Sequence, residues 1–337
     1  MFEIKVLRNA YQEAYEETPR GPLPMVFDDH LYRGPFQTLD NEGAAHGPIQ
    51  CLYNGTIPVE YKVKGKKVTG FGIRFESLDN EFGSVVLGTV DADTQMIILD
   101  GPRIACAQDP AIMVIGGRAI LTCNVYTVED GVINSVRQYF YYLDDLSKPF
   151  AIGPLGQKCC RLIDLPKGKI GVFARKQEWP EMRGQLAYIE IDTLGELEGA
   201  IPQAKLIGPI TSNDCWLGAN QLLSLDKAGR YIGVIGHIAD FDPEQLALGK
   251  EKKRYFATAA VFDRQTQTIV DMVIIADAAN LEFNKHSKLE CLGFVIYSSG
   301  VVPQAGFYRY RFYGGYGDIR SFWWDMNIPL FDYYEAQ

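Results

Sequence analysis

The chain has 337 residues, 47% hydrophobic and 22% charged, enough for two ordinary domains or one large repeat-built domain with a full core. Its 33 Lys and Arg against 42 Asp and Glu leave a formal charge of −9. That balance argues against a nucleic-acid partner, which needs basic surface to displace counterions, although a local cluster of cations can still take an anionic substrate.

The N-terminal stretch "MFEIKVLRNAYQEAYEETPRG" is interrupted by charge every few residues, so it has no apolar signal core. No window approaches the roughly 18 uninterrupted apolar residues of a membrane span, and no membrane partner is expected. "NAYQEAYEE" is the best helical candidate, and residues 10–45, rich in Pro, Gly and Asp, read as an irregular lead-in (about 1–45) and not as a separate domain. The 7 cysteines are odd in number and lack a framework spacing, and Cys159 and Cys160 are adjacent. They read as reduced thiols of a cytoplasmic protein, which makes the "NGT" at Asn54 a glycosylation sequon by accident. None of the 4 histidines forms an HExxH, so no metal site is expected.

From residue 49 onward, β-branched and aromatic runs closed by Gly, Asp or Asn dominate. The first group is "IQCLYNGTIPVEYKVKGKKVTGFGIRFESL". "RAILTCNVYTVEDG" with "SVRQYFYYLDD" follows, then "KCCRLIDLPKGKIGVFARKQ" with "RGQLAYIEID" and a short turn over 192–201. "GANQLLSLDKAGRYIGVIGHIADFD" pairs with "KRYFATAAVFDRQTQTIV", and the charged 242–254 reads as an inserted loop. "KLECLGFVIYSSGVV" with "GFYRYRFYGG" closes the series. Five small meanders of similar length predict an all-β fold, a five-bladed β-propeller in one domain over 1–337; a β-sandwich is the alternative.

The stretch "GPRIACAQDPAIMVIGGRAILTCNVY" sets one carboxylate, Asp109, and Pro110 inside an apolar run. Asp-Pro opens turns and proline ends pairing at a strand edge, so a structural reading stands beside one in which the acid does proton chemistry. In a propeller the first strand of each blade lines the axis. Polar residues at those starts then converge: Asp109, Lys158 with Arg161, Asn220, and Lys288 ahead of the last blade.

These positions also carry a family resemblance. "YNGTIP", "IRFES", "AQDPA", "GPLGQKCCRL", "GKIGVFARKQ", "MRGQL", "WLGAN", "GVIGHIADFD" and "FYGGYGD" occur in this order, from about Tyr53 to the region of Asp318. In them the chain resembles the mannosyltransferase/phosphorylase family of β-1,2-mannan (mannogen) turnover, related to the β-mannoside phosphorylases. The resemblance implies a five-bladed propeller with Asp109 as catalytic acid. It implies Tyr53, Asn54 and Arg74 at the sugar being cleaved, and Asp318 on sugar hydroxyls; Asn220 falls among the substrate-binding positions. A cationic group near phosphate would comprise Lys158, Arg161, Arg175, Arg183 and His237. The chain departs from the family pattern at Cys159, Lys176 and Gln221, differences that bear on acceptor specificity.

Blander readings exist for several of these residues. Lys158 and Arg161 could be solvated turn charges, though an arginine between "CC" and "LID" suits a surface poorly. His237 in "VIGHIAD" could be a satisfied core histidine. Trp216, Trp323 and Trp324 serve equally as packing aromatics or sugar platforms, and Lys285, His286 and Lys288 read first as a charged loop.

A hydrolase needs two carboxylates, whereas phosphate is already an anionic nucleophile that the protein must position and neutralise. One axial Asp among axial cations therefore fits an inverting phosphorylase, and the resemblance implies β-mannosides, with β-1,2-linked manno-oligosaccharides foremost, as its substrates and mannose 1-phosphate as its product. Oligosaccharide and phosphate would be the partners, with inorganic phosphate as co-substrate and no cofactor. Apolar neighbours Ile104, Ala107 and Ile112 are expected to raise the Asp109 pKa by desolvation. The alternatives are a GDP-mannose-dependent mannosyltransferase on the same site, a glycoside hydrolase, and a non-catalytic sugar-binding propeller. Homo-oligomerisation stays open.

Overall fold

Strands dominate the computed structural model, which describes residues 20–22, 25–27, 51–63, 65–76, 82–91, 93, 95–178, 182–208, 215–276, 292–318 and 320–336. Two short strands, β1 (Arg20–Pro22) and β2 (Met25–Phe27), come first. The first meander holds β3 (Cys51–Tyr53), β4 (Val59–Val63), β5 (Lys66–Glu76), β6 (Gly83–Val90), β7 (Ile97–Leu99) and β8 (Arg103–Ala105). The second is β9 (Ala107–Ile115), β10 (Arg118–Glu129), β11 (Val132–Tyr142) and β12 (Ala151–Ile152). The third is β13 (Lys158–Asp164), β14 (Ile170–Glu178), β15 (Met182–Ile191) and β16 (Lys205–Leu206). The fourth is β17 (Trp216–Ser224), β18 (Tyr231–Phe241), β19 (Lys253–Asp263) and β20 (Thr268–Ala276). The fifth is β21 (Leu292–Pro303), β22 (Tyr310–Tyr316) and β23 (Arg320–Met326), with β1 as its outer strand.

Each meander pairs antiparallel, as short apolar strands joined by tight turns should. Parallel contacts join β19 to β21 and β23 to β3, so the fifth meander touches both the fourth and the first. The core lies between sheets. Phe140, Cys160, Leu162 and Val172 fill the space between the second and third meanders, and Phe173, Tyr188, Ile232 and Phe262 that between the third and fourth. Ile235, Val261, Val301 and Phe312 join the fourth to the fifth, while Tyr313 and Trp323 of the fifth pack on Phe71, Ile73 and Phe75 of the first.

The all-β expectation holds. The lead-in is less irregular than its composition suggests, because β1 pairs with β23 and β2 runs parallel to β7. The 192–201 turn is a short helix, α1 (Leu197–Ala200), flanked by 3-10 turns. The 242–254 loop also contains a helix, α2 (Pro243–Ala247), where the Asp242 side chain accepts from the Glu244 and Gln245 amides and Pro243 occupies the first turn. A C-terminal helix, α3 (Pro329–Glu335), again has Pro near its start. The candidate helix "NAYQEAYEE" and Lys285, His286 and Lys288 lie outside the described residues. Among the described residues no helix is long and apolar enough to cross a membrane.

Candidate active site

Every inner strand breaks its register at one point. Asp109 and Pro110 together face Cys123, Cys159 and Cys160 face Ala174, Asn220 is an extra residue between Ala219 and Gln221, and Ser299 is extra between Ser298 and Gly300. In the first meander pairing lapses after Tyr53 and resumes at Thr56. Such bulges re-aim a side chain out of the pleat. Asn54, Asp109 and Cys159 all take left-handed backbone at φ 49, 49 and 51, a conformation that Asn and Asp tolerate better than most residues. The bulge also explains how Pro110 sits within a strand, since it needs no ladder donor there. Residues at or just beyond these bulges, including Ile57, Met113, Leu162, Leu222 and Ser299, line one cavity of about 340 Å3.

Asp109 keeps 18% of its side-chain surface and is held on both oxygens. Oδ1 accepts from Asn54 Nδ2 at 3.1 Å and Arg74 Nη1 at 3.3 Å, and Oδ2 accepts from Asn124 Nδ2 at 3.1 Å. Arg74 Nε donates to Glu76 Oε2 at 2.9 Å, the Tyr53 hydroxyl donates to Glu76 Oε1, and the guanidinium sits 4.9 Å from the Tyr53 ring centre. Asp318, in the turn after β22, acts electrostatically on Tyr53 and Arg74. The structure thus brings Tyr53, Asn54, Arg74, Asp109 and Asp318 together.

The expected rise in the Asp109 pKa does not occur. Burial pushes the carboxyl up, but the Arg74 and Lys158 charges and the hydrogen bonds from Asn54 and Arg74 outweigh it and hold it below the usual value. The apolar residues adjacent in sequence are not its decisive neighbours in space.

The other half of the ring is cationic. Arg161 is 3% exposed and Arg175 9% exposed. Among the described residues neither they nor Lys158 has a carboxylate within ion-pair distance. Burial and then the Arg175 charge pull Lys158 below its ordinary pKa, while Asp109 opposes them. Arg175 Nη1 lies 3.8 Å from Cys159 Sγ.

Two assignments in this half need revision. His237 is not cationic: burial, with Arg175 and Arg161 nearby, lowers its pKa to about 3 and leaves a neutral imidazole. Its Nδ1 lies 2.7 Å from Asn220 Oδ1, and the missing side chain at Gly218 makes room, since a Cβ there would come within 2.5 Å of His237 Cε1. Arg161 is partly committed to the backbone, with Nε on the Asn220 carbonyl at 2.8 Å and Nη1 on the Cys160 carbonyl at 2.9 Å. Arg183 stacks 4.5 Å over the Phe241 ring and reaches Glu251 at 4.0 Å, on the 242–254 segment.

Buried polar side-chain atoms without a partner mark the same place. Among the described residues they are Asn54 Oδ1, Arg74 Nη2, Asn124 Oδ1, Arg175 Nε, Asn220 Nδ2 and Ser298 Oγ. Such groups are costly in a folded core and persist where a ligand completes them. Glu76, Asn124 and Ser298 escaped sequence reasoning. Arg74 and Glu76, two apart in a strand, share a face, and Thr122 and Asn124 do likewise in an apolar run; both signals were present. Gln221 is spent structurally, bonding both the amide and the carbonyl of Val301 across to β21. Trp216 and Trp324 are buried packing residues, and Arg311 lies 4.1 Å over Trp323.

Comparison with known proteins follows the same lines. A family model described as "Protein of unknown function (DUF1861)" matches residues 49–332, and the chain belongs to that family. No curated protein matches it. A mannose phosphorylase from Leishmania mexicana, solved with phosphate ion, is similar at 24% identity and TM-score 0.73, over 93% of this chain and 90% of that one. A GDP-Man-dependent mannosyltransferase from Leishmania mexicana is similar at 25% identity and TM-score 0.71, over the same shares of 93% and 90%. A β-1,2-mannobiose phosphorylase from Listeria innocua, in complex with β-1,2-mannobiose, shares the fold at 12% identity and TM-score 0.54, over 87% of this chain and 94% of that one. These relatives are the group that the sequence motifs resemble.

Proposed function

We propose that this chain is an enzyme, an inverting glycoside phosphorylase that cleaves β-mannosides of the β-1,2-linked manno-oligosaccharide class and releases mannose 1-phosphate. The observation that carries this reading is a set of cations, the buried Arg161 and Arg175 and the half-buried Lys158 whose charge acts on Asp109, with no carboxylate within ion-pair distance among the described residues. A buried cation without an anion costs free energy, so the site is built to receive one. We read the fold as a single five-bladed propeller over the chain, a reading supported by the shared cavity of the meanders and by the packing of the last meander on the first.

Phosphate held by Lys158 and Arg175 attacks the anomeric carbon from the face opposite the leaving oxygen. The glycosidic C–O bond breaks, and Asp109 gives its proton to that oxygen. In the free protein Asp109 is ionised. An anion beside it offsets the cations that hold its pKa down and adds a like charge, and both effects favour the protonated acid that the reaction needs. Asn54, Arg74 and Asn124 supply unpartnered polar atoms for sugar hydroxyls around Asp109, and Asn220 and Asp318 complete the sugar-binding set. Glu76 is committed to Arg74 and Tyr53 and is a poor base for water, which weighs against hydrolysis.

A second reading, transfer of mannose from GDP-mannose, is favoured by the similarity to the mannosyltransferase at 25% identity. A panel of β-linked manno-disaccharides, with and without phosphate, separates the two. Mannose 1-phosphate formed only with phosphate supports phosphorolysis. GDP released from GDP-mannose and a mannose acceptor supports transfer, free mannose in both arms means hydrolysis, and binding without product leaves a sugar-binding protein.

A further inference from the structure

Glu76 is the buried carboxylate for which that reaction has no chemical step. It ends β5 with its side chain fully enclosed, and it faces Gly83 of β6, where a Cβ would come within 2.8 Å of Oε2. A side chain at Gly83 would occupy the place of the carboxylate, so the register itself makes room for it. Burying a carboxylate is unfavourable unless it is paired and hydrogen-bonded, and here Arg74 Nε and the Tyr53 hydroxyl do both. Arg74 is therefore shared. Its Nε binds Glu76 at 2.9 Å and its Nη1 reaches Asp109 at 3.3 Å, so one cation stands between two carboxylates.

We propose that Glu76 is a positioning residue, which fixes the Arg74 guanidinium against Asp109 and, by claiming part of its charge, keeps Asp109 able to hold a proton. This rests on the reading of Asp109 as the general acid. Without the Glu76 charge, Arg74 would act on Asp109 unopposed, and Asp109 would release its proton more readily. The groups around Asp109 set the size of the effect. Arg74 faces it from the first meander with Glu76 and Tyr53 on Arg74, Cys123 faces it from β10 and Lys158 from β13. His237 faces it from β18, Tyr255 from β19 and Tyr297 from β21, and Asp318 acts through Arg74. Of these, Glu76 is the carboxylate bonded directly to the cation that touches Asp109.

The test compares Glu76→Gln with the wild type and Asp109→Asn. The expected result is a folded Glu76→Gln protein whose kcat for phosphorolysis of β-1,2-mannobiose falls about 10- to 100-fold, with KM for phosphate changed less than about threefold. The alkaline limb of its kcat profile, where the acid of the substrate complex loses its proton, moves to lower pH. A 13C NMR titration of the Asp109 carboxyl reads the same coupling without turnover, and its midpoint is lower in Glu76→Gln. An unchanged midpoint and pH limb overturn the inference, even if Asp109→Asn is inactive and the proposed function stands. A shifted midpoint in a protein that turns over no mannoside supports the coupling and refutes the function. If Glu76→Gln does not fold, Glu76→Asp withdraws the carboxylate from Arg74 and lowers the midpoint by less; no movement there overturns the inference as well.

Discussion

The arginines of the cation-rich half of the site and the arginines away from it are paired in opposite ways. Away from the site, Arg264 grips Glu190 through Nε at 2.6 Å and Nη2 at 2.9 Å, and Arg254 holds Asp240, Arg311 holds Asp325 and Arg230 holds Asp263 with the same two-pronged geometry. In the site, Arg161 and Arg175 are more deeply buried and, among the described residues, have no carboxylate within ion-pair distance. Exposed cations tolerate the lack of a partner far better than buried ones, so burial alone would predict the reverse. The outer pairs are complete within the chain and serve the fold. The site cations have no carboxylate partner among the described residues, as a site for an anion requires.

The largest effect tests the site directly. Asp109→Asn preserves the side-chain shape but removes the proposed proton donor, so phosphorolysis should fall on the order of 10²- to 10⁴-fold with the fold intact. Full activity in that variant would remove Asp109 from the chemistry.

The next effect separates the two arginine classes. Phosphate at about 100 times its Kd should stabilise the protein by about 2.7 kcal/mol, because it binds the folded state alone. Thermal melts with phosphate should show this for the wild type and for Arg264→Gln, but not for Arg175→Gln. A phosphate shift that survives Arg175→Gln would place the anion elsewhere.

Much of this division is legible in the sequence. Asp109, Lys158, Arg161 and Asn220 each interrupt an apolar run near a strand start, and the structure gathers them at the register breaks. What each charge does was less legible, because the bulges that aim the side chains carry no fixed sequence mark. The backbone carbonyls that occupy Arg161 belong to two such bulges. The lowered Asp109 pKa depends on Arg74 and Lys158, 35 and 49 positions away in sequence, so its apolar sequence neighbours pointed the wrong way. The strand β1 is composed of residues with turn character and is strand only because β23 offers it an edge.

A smaller effect follows from His237. Its folded pKa of about 3 lies below the ordinary histidine value of 6.5, so between these values the unfolded chain binds a proton that the folded chain does not. Stability is therefore complete above about pH 6.5 and declines as pH falls toward 3. From pH 6.5 to 5 the loss should be on the order of 2 kcal/mol in urea unfolding. His237→Gln should flatten this slope, and an unchanged slope would mean that the imidazole protonates freely in the folded state.

The smallest effect belongs to the outer class. Arg264 follows β19 and reaches Glu190 on β15, so the pair ties the fourth meander to the third, and Tyr188 also donates to Glu190 at 2.8 Å. The two side chains retain 24% and 22% of their surface, so solvent screens the attraction and Arg264→Gln should cost about 1 kcal/mol. The hydrogen bond from Arg264 leads the causes that hold the Glu190 pKa below 4.5, and the contribution is thus present above that pH and lost as pH falls through the lowered value. A double-mutant cycle with Glu190→Gln should recover most of the cost as coupling, and the coupling should shrink in high salt. If Arg264→Gln instead reduced phosphorolysis as severely as it reduced stability, the outer pair would belong to the site, and the division between the two classes of arginine would fail.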